Sequence, residues 1–303
     1  SFESIENGYV FNTNNITNLL EQDFFSWYSI EEIWDSSIAL PIKDLLAIVN
    51  DYSDTSLAYH FETTDLFKEI YMLTIPGDVR KAFGEYFTPD WLADNVILSA
   101  RKQITKEDWT FLDPTCGSGT FLLRAINQIV DEERDNKSDT ELLESILERV
   151  KGIDLNPLSV LSARVSYLLA IRPFIHNYNK TIELPVYLGD SAKLPKIINK
   201  GGQKFVEYKI TTRKAPIDAI LPLKFVDSKD FLPTIYTWQT YINSERPEIL
   251  EEVMSAVFPK TVDPAIRVKI KELSETLITL HKERWDGIWL RIISNFILPT
   301  RIS

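Results

Sequence analysis

Three aspartates, Asp113, Asp154 and Asp190, each follow a short apolar run of the chain, and a Gly117-Ser118-Gly119 loop comes soon after the first. Glycines let a loop approach a ligand closely, and the N–H groups at the start of the next helix are free to bind it. A carboxylate after the second run can accept hydrogen bonds from a ribose diol, and one after the third can accept from the exocyclic amine of adenine. Leu155, beside Asp154, can cover the face of the base. These residues predict a site for an adenosine-containing cofactor.

The same residues restrict the kind of cofactor. No Lys-Ser or Lys-Thr pair follows the glycines, which excludes a phosphate loop of the Walker type. Leu122 stands where a dinucleotide fingerprint has its third glycine, and Asp154 lies 41 residues beyond Asp113 rather than about 20. A cofactor without phosphate and with its own positive charge fits better beside carboxylates. S-adenosylmethionine, with its sulfonium and ammonium groups, meets this description.

The acids can meet only if the elements before them end at one edge of a sheet. Apolar runs predict strands at residues 109–112, 150–153 and 184–188. Helical patterns lie between them: one begins near Thr120, one after a capping box that starts at Ser138, and one at Asn156-Pro157. This alternation predicts an α/β fold with a Rossmann-like, doubly wound, mainly parallel sheet. Ligands of such sheets bind beyond the carboxyl ends of the strands.

The flanking segments look mainly helical. Helical spacing of apolar residues extends over residues 16–75, and nothing there suggests catalysis. A possible strand at residues 217–226 precedes helical patterns around 247–257 and 266–296. The predicted domains are an N-terminal helical region at 1–78, an incomplete cofactor-binding core at 79–230 and a C-terminal helical segment at 231–303.

Charge is distributed unevenly along the chain. The net charge is −11, and residues 1–80 alone hold 14 acidic and 3 basic residues. A chain this acidic is a poor general binder of polyanions, because phosphate contacts supply most non-specific affinity for nucleic acid. Residues 193–214 are the exception, with seven basic residues and one glutamate. That stretch is either a local contact for nucleic acid or a solvated loop.

Cysteine and histidine offer little further chemistry. The single cysteine, Cys116, excludes an intramolecular disulfide and a thiolate zinc cluster, and the three histidines are too scattered to predict a metal site. The chain has no apolar run long enough for a membrane span and no pattern of a signal peptide. We therefore expect a cytoplasmic protein without a metal.

Four motifs together resemble a known family. The stretch from Asp113 to Phe121 resembles the cofactor loop of the N6-adenine-specific DNA methyltransferases, which include methylase subunits of type I restriction–modification systems and single-chain restriction–modification enzymes. Residues 83–89, 152–157 and 189–191 resemble, in the family's order, the segment before that loop and the two motifs after it. The resemblance covers residues 83–191 and implies the fold of S-adenosylmethionine-dependent methyltransferases.

The resemblance also implies a role for each matching residue. Tyr86, Phe87 and Thr88 would line the methionine side of the cofactor. The floor below it would be formed by Asp113, Cys116, Gly117, Ser118 and Gly119. Asp154 would bind the ribose hydroxyls, Leu155 would pack on adenine, and Asp190, followed by Ser191, would accept from the adenine amino group.

One family feature is missing. The family's catalytic motif is Asp, Asn or Ser followed by Pro-Pro and an aromatic residue, and this chain contains no Pro-Pro. No catalytic residue is therefore assigned, and we expect a fragment that ends before the catalytic strand and the domain that recognises double-stranded DNA. The longer enzyme would work with specificity or restriction subunits or a fused nuclease. An RNA or protein methyltransferase on the same fold, or a non-catalytic nucleoside-binding scaffold, is the alternative.

Overall fold

The structure is a computed structural model that describes residues 8–20, 35–50, 72–73, 75–82, 88–211, 216–228, 230–243, 264–283 and 289–302. These residues form two compact units, the first extending to Val186 and the second from Tyr187. The boundary lies inside the segment 79–230 that the sequence predicts as one core, and the domain bounds stay a prediction. The helices predicted around 247–257 and over most of 51–71 lie outside the described residues.

A sheet with parallel pairing forms the centre of the first unit. Its strands are β1 (Phe111–Asp113), β2 (Val150–Asp154) and β3 (Val186–Leu188), in that order across the sheet, and the unit boundary falls after the first residue of β3. β1 pairs with β2 in parallel, with Asp113 opposite Gly152. Both strands end at the aspartate that the sequence predicts as a strand end. The parallel pairing is thus confirmed, whereas a doubly wound sheet remains a prediction.

The described residues of the first unit include seven α-helices, and three of them begin where the sequence predicts. The first two helices are α1 (Tyr9–Asn12) and α2 (Ser36–Asn50), and they are followed along the chain by α3 (Gly77–Ala82), α4 (Asp90–Arg101), α5 (Thr120–Glu133), α6 (Asp139–Arg149) and α7 (Pro157–Ile171). Ser138 and Glu141 form the expected capping box of α6, and the Asn156 side chain caps α7 with Pro157 in its first turn. α5, α6 and α7 all pack on β2.

The segment after α1 differs from the helical prediction. Ile16 forms an isolated parallel bridge with Ile182 instead of starting a helix. Asn18, which is 4% exposed, donates from Nδ2 to the Leu184 carbonyl at 2.8 Å and accepts from the Leu184 N–H at 2.7 Å. An amide side chain can pair with both polar groups of one backbone residue, and this contact attaches Asn18 to Leu184. Helical spacing of the apolar residues could not reveal such a long-range contact.

The second unit contains an antiparallel sheet covered by helices. Its strands are β4 (Lys196–Lys200), β5 (Gln203–Thr211) and β6 (Pro216–Pro222), in that order, and its helices are α8 (Leu223–Val226), α9 (Phe231–Asn243), α10 (Pro264–Lys282) and α11 (Trp289–Ile297). Phe231 and Trp238, which are almost fully buried, belong to its core. The solvated-loop alternative for residues 193–214 is wrong, because most of them form β4 and β5. The strand expected at 217–226 ends at Pro222, and the remaining residues, 223–226, form the short helix α8.

Candidate functional site

The loop after β1 depends on two glycines in the left-handed region. Gly117 has φ +55° and Gly119 has φ +98°. A Cβ atom on Gly119 would lie 3.3 Å from Cα of Ala163 in α7, so the loop touches that helix at backbone distance. A Cβ atom on Gly117 would meet nothing within 4 Å. Gly119 is therefore required by packing, whereas Gly117 borders open space.

A third glycine, Gly152 in β2, allows the loop after β1 to pack closely against that strand. A Cβ atom on Gly152 would lie 2.8 Å from Cδ1 of Leu122 and 3.1 Å from Sγ of Cys116. The Cys116 N–H donates to the carbonyl of Ile153 at 2.9 Å, which attaches the loop to the strand. The resemblance places Gly152 in the second motif, and the packing of Cys116 and Leu122 against β2 explains why a glycine is needed there.

Asp154 connects the glycine loop to the turn after β2. Its Oδ2 accepts a hydrogen bond from the Gly117 N–H at 2.8 Å, and its Oδ1 accepts from the Asn156 N–H at 2.8 Å. Each carboxylate oxygen can accept two hydrogen bonds, so the half-buried side chain keeps acceptor capacity for a further donor. Both Gly117 and Asp154 are residues that the resemblance assigns to the cofactor, and the structure brings them together.

Asp113 lies at the end of β1 with a partly desolvated carboxylate. Its Oδ1 accepts from the Thr115 N–H at 3.1 Å. Burial raises the pKa of Asp113 above its ordinary value, and the negative charge of Asp154 raises it further, while the Thr115 contact opposes both effects. Two neighbouring carboxylates, one of which has a raised pKa, favour the binding of a positively charged group.

The surroundings of Cys116 indicate a role in packing. It is 5% exposed, and burial together with the charges of Asp154 and Asp113 raises the pKa of its thiol well above the ordinary value. A reactive cysteine needs a depressed pKa, so this thiol is unsuited to act as a nucleophile. Ser118, predicted beside it, is also buried at 3% exposure.

Leu155 is exposed to solvent, in contrast to the buried Cys116 and Ser118. It is 62% exposed although it directly follows β2 and Asp154. An exposed leucine alone is ordinary, but this one directly follows Asp154, whose carboxylate keeps acceptor capacity and accepts from the Gly117 N–H. The three residues together offer an apolar face and hydrogen-bond acceptors side by side.

The remaining predicted residues lie elsewhere along the chain. Asp190 and Ser191 belong to the second unit, where the carboxylate of Asp190 accepts from the Ala192 N–H at 2.9 Å. Burial raises the pKa of Tyr208, and the charge of Asp190 raises it further. Thr88 is half-buried just before α4, and Tyr86 and Phe87 lie outside the described residues.

Sequence reasoning missed Arg164 in α7. The side chain is 2% exposed, and its Nε donates to the carbonyl of Val186 at 2.8 Å, so it ties α7 to the start of β3. An arginine among the apolar residues of a helix was the available signal, because a buried cation must have partners. Its guanidinium also lies close enough to Cys116 to oppose the rise of the thiol pKa.

Two classes of site are not seen in the part of the chain that the structure describes. It contains no group of three or more His, Cys, Asp or Glu side chains arranged to hold a metal ion. Within the same residues, every helix is too short or too polar to cross a membrane.

Comparison with known proteins shows what part of the chain is similar to. Residues 62–199 match the family model described as N-6 DNA Methylase. A stretch of 133 residues is 29% identical to the adenine-specific methyltransferase PglX of Streptomyces coelicolor, and it covers 41% of this chain and 11% of PglX. No solved structure gives a significant match. The matches confirm, for residues 62–199, the resemblance to the N6-adenine DNA methyltransferases that the motifs indicate. Helices around a sheet with parallel strands are consistent with the fold of S-adenosylmethionine-dependent methyltransferases.

Proposed function

We propose that this chain binds S-adenosylmethionine at the carboxyl ends of β1 and β2 and serves methyl transfer to N6 of adenine in double-stranded DNA. The observation that carries the proposal is the contact between the Gly117 N–H and the Asp154 carboxylate, next to the exposed Leu155. At the carboxyl ends of β1 and β2, this contact joins the backbone of Gly117, which borders open space, to the carboxylate of Asp154, which directly precedes the apolar side chain of Leu155. Ligands of such sheets bind at that end of the strands.

The side chains of the site suit this cofactor by charge and shape. Asp154 has acceptor capacity left for the ribose hydroxyls, and Leu155 presents a face on which adenine can pack. Asp113 and Asp154 supply negative charge for the sulfonium and ammonium groups, while both would repel a pyrophosphate. The cofactor supplies an electrophilic methyl group, and the residues of this chain bind and orient it.

Further residues complete the proposed site. Asp190, with Ser191, would accept from the adenine amino group, and Tyr86, Phe87 and Thr88 would line the methionine side, with Cys116, Ser118 and Gly119 forming the floor. This arrangement requires β3 to run parallel to β1 and β2, so that all three aspartates lie at the same edge of the sheet.

We assign the catalytic groups to residues outside this chain. The sequence has no Pro-Pro, and β1 lies at the edge of the sheet as far as the structure describes it. A further strand that carries the missing motif can pair with that edge. In a restriction–modification system, specificity or restriction subunits or a fused nuclease would be the partners, in the cytoplasm.

Titration calorimetry tests the cofactor assignment. We expect saturable heat with S-adenosylmethionine and none with NAD at the same concentration, because the pyrophosphate of NAD would face two carboxylates. Absence of heat with S-adenosylmethionine at about millimolar concentration, which corresponds to less than roughly 4 kcal/mol of binding free energy, would contradict the assignment. A methyl-transfer assay with DNA checks the second claim: we expect no transfer by this chain alone, and measurable transfer would place catalytic groups within it.

A further inference from the structure

The hairpin formed by β4 and β5 ends in an exposed tip. Its turn is Gly201-Gly202, with φ +57° and +78°, and Lys200 pairs with Gln203 across it. Two residues with positive φ form the turn type that matches the twist of a hairpin. Pairing between β5 and β6 begins only at Phe205, so residues 199–204, here called the hairpin tip, extend past the end of β6. All six of them are exposed.

Among the described residues, three of the four lysines of this hairpin have no acidic side chain within ion-pair distance. Lys196, Lys200 and Lys204 are exposed and form no ion pair with any residue that the structure describes. Lys209, at the other end of β5, lies 3.6 Å from Glu207 and 3.9 Å from Asp218. Lys196 lies opposite Glu207 in the register of β4 and β5, whereas Lys200 and Lys204 lie opposite uncharged residues, so the positive charge without an acidic partner among the described residues is concentrated near the tip.

The lysines project from both faces of the hairpin. Lys196 and Lys200 share one face, because side chains alternate along a strand. Lys204 pairs with Asn199 and therefore lies on the opposite face. A two-stranded ribbon fits the major groove of DNA, which is about 12 Å wide and bordered by a phosphate backbone on each side. Cations on both faces of a ribbon match that arrangement of phosphates.

We infer that the hairpin tip and Lys196 form a contact surface for the phosphate backbone of double-stranded DNA. The inference rests on the proposed function and assigns part of its DNA contact to the second unit. Phosphate contacts position a protein on DNA without reading its sequence, so this surface contributes affinity and not site specificity. The bare Gly201-Gly202 turn has no side chain that would keep the backbone away from the groove.

The salt dependence of DNA binding tests the inference. Each neutralised phosphate contributes about −0.9 to the slope of log affinity against log salt, so three lysines contribute about −2.7. We expect the triple variant K196Q/K200Q/K204Q to lose this part of the slope when a labelled duplex is titrated between about 20 and about 200 mM NaCl. At the low-salt end the affinity should fall by at least tenfold.

A matched variant controls for net charge. K224Q/K269Q/K282Q removes the same charge from exposed lysines of α8 and α10 in the same unit, and we expect an unchanged slope. Equal losses in both triple variants, an unchanged slope in K196Q/K200Q/K204Q, or no DNA binding by the unmodified chain at low salt would each overturn the inference. So would equal affinity for poly-L-glutamate, which would indicate a surface for acidic proteins.

Cofactor binding separates this inference from the proposed function. The hairpin variant should bind S-adenosylmethionine as the unmodified chain does in calorimetry. If the chain binds the cofactor and DNA but the hairpin variant behaves normally, only the hairpin assignment fails. If cofactor binding is absent from both proteins, the proposed function fails as well.

Discussion

Glycines occupy two turns of this chain under different constraints. In the loop after β1, Gly119 has φ +98° and lies against the backbone of Ala163, and the neighbouring residues are buried or carry carboxylates. In the hairpin turn, Gly202 has φ +78°, and nothing would meet a Cβ atom there within 4 Å. The first turn is shaped by packing and the second by backbone conformation alone. Positive φ therefore accompanies close packing against a neighbouring helix in the loop after β1, whereas in the hairpin it accompanies an open turn.

The largest expected difference comes from the same substitution in both turns. Gly119→Ala adds left-handed strain and a contact with Ala163 of α7 that is tighter than ordinary Cβ contacts, and we expect it to lower the free energy of unfolding by about 3 kcal/mol. Gly202→Ala adds only the strain, so we expect about 1 kcal/mol. Urea unfolding of both variants measures the difference. Equal losses would mean that the Ala163 contact does not constrain the loop.

Asp154→Asn tests whether the loop depends on its carboxylate. An amide has a single acceptor oxygen, so either the Gly117 or the Asn156 N–H loses its partner, and we expect a loss of about 1–2 kcal/mol in unfolding free energy. Affinity for S-adenosylmethionine should fall by about tenfold or more, because a tenfold change corresponds to only about 1.4 kcal/mol. Asp135→Asn, at an exposed position after α5, is the matched control for the lost charge and should change neither quantity. Unchanged affinity in the Asp154 variant would remove this residue from the proposed site.

Asp113→Asn should affect stability and binding in opposite directions. The pKa of Asp113 is raised in the folded chain, so the folded state binds more protons than the unfolded state between the ordinary pKa of 3.8 and the raised value. Stability therefore falls as pH rises through that window, and the desolvation cost persists at neutral pH. The asparagine keeps an oxygen for the Thr115 N–H and carries no charge.

We accordingly expect Asp113→Asn to be more stable than the unmodified chain at pH 7, with the difference shrinking as the pH falls toward 3.8. Cofactor affinity should decrease, because a negative charge near the cationic groups is lost. Thermal unfolding across this pH range, combined with calorimetry at pH 7, measures both effects. A variant that gained stability and kept full affinity would show that the charge of Asp113 is not used in binding.

The smallest effect is expected from Gly201→Asn. Asparagine accepts φ near +57° better than other side chains, and Asn-Gly is a preferred hairpin turn. We expect the free energy of unfolding to change by less than about 0.5 kcal/mol, within the range of ordinary surface substitutions. A much larger loss would mean that the hairpin turn is packed as tightly as the loop after β1.

The sequence was most informative where structure is encoded locally. The ends of β1 and β2 at Asp113 and Asp154, and the capping boundaries of α6 and α7, follow from neighbouring residues, and the structure confirms them. The contact between Gly117 and Asp154 joins residues 37 positions apart and depends on how two loops meet, so spacing alone could not predict it.

The errors have physical explanations as well. The alternative of a solvated loop at 193–214 followed from charge, although Gly201-Gly202 between two strand-like segments signals a hairpin. The strand expected to run to residue 226 ends at Pro222, because proline lacks the N–H that continued pairing needs. Residues 16–18 looked helical by spacing, but Asn18 pairs with Leu184 far along the chain.

A crystal structure of the chain grown with S-adenosylmethionine tests the central claim most directly. We predict the ribose hydroxyls within hydrogen-bond distance of the Asp154 carboxylate, the adenine against Leu155, and the methionine end over the Gly117–Gly119 loop. A cofactor bound elsewhere, or a ribose without contact to Asp154, would contradict this account.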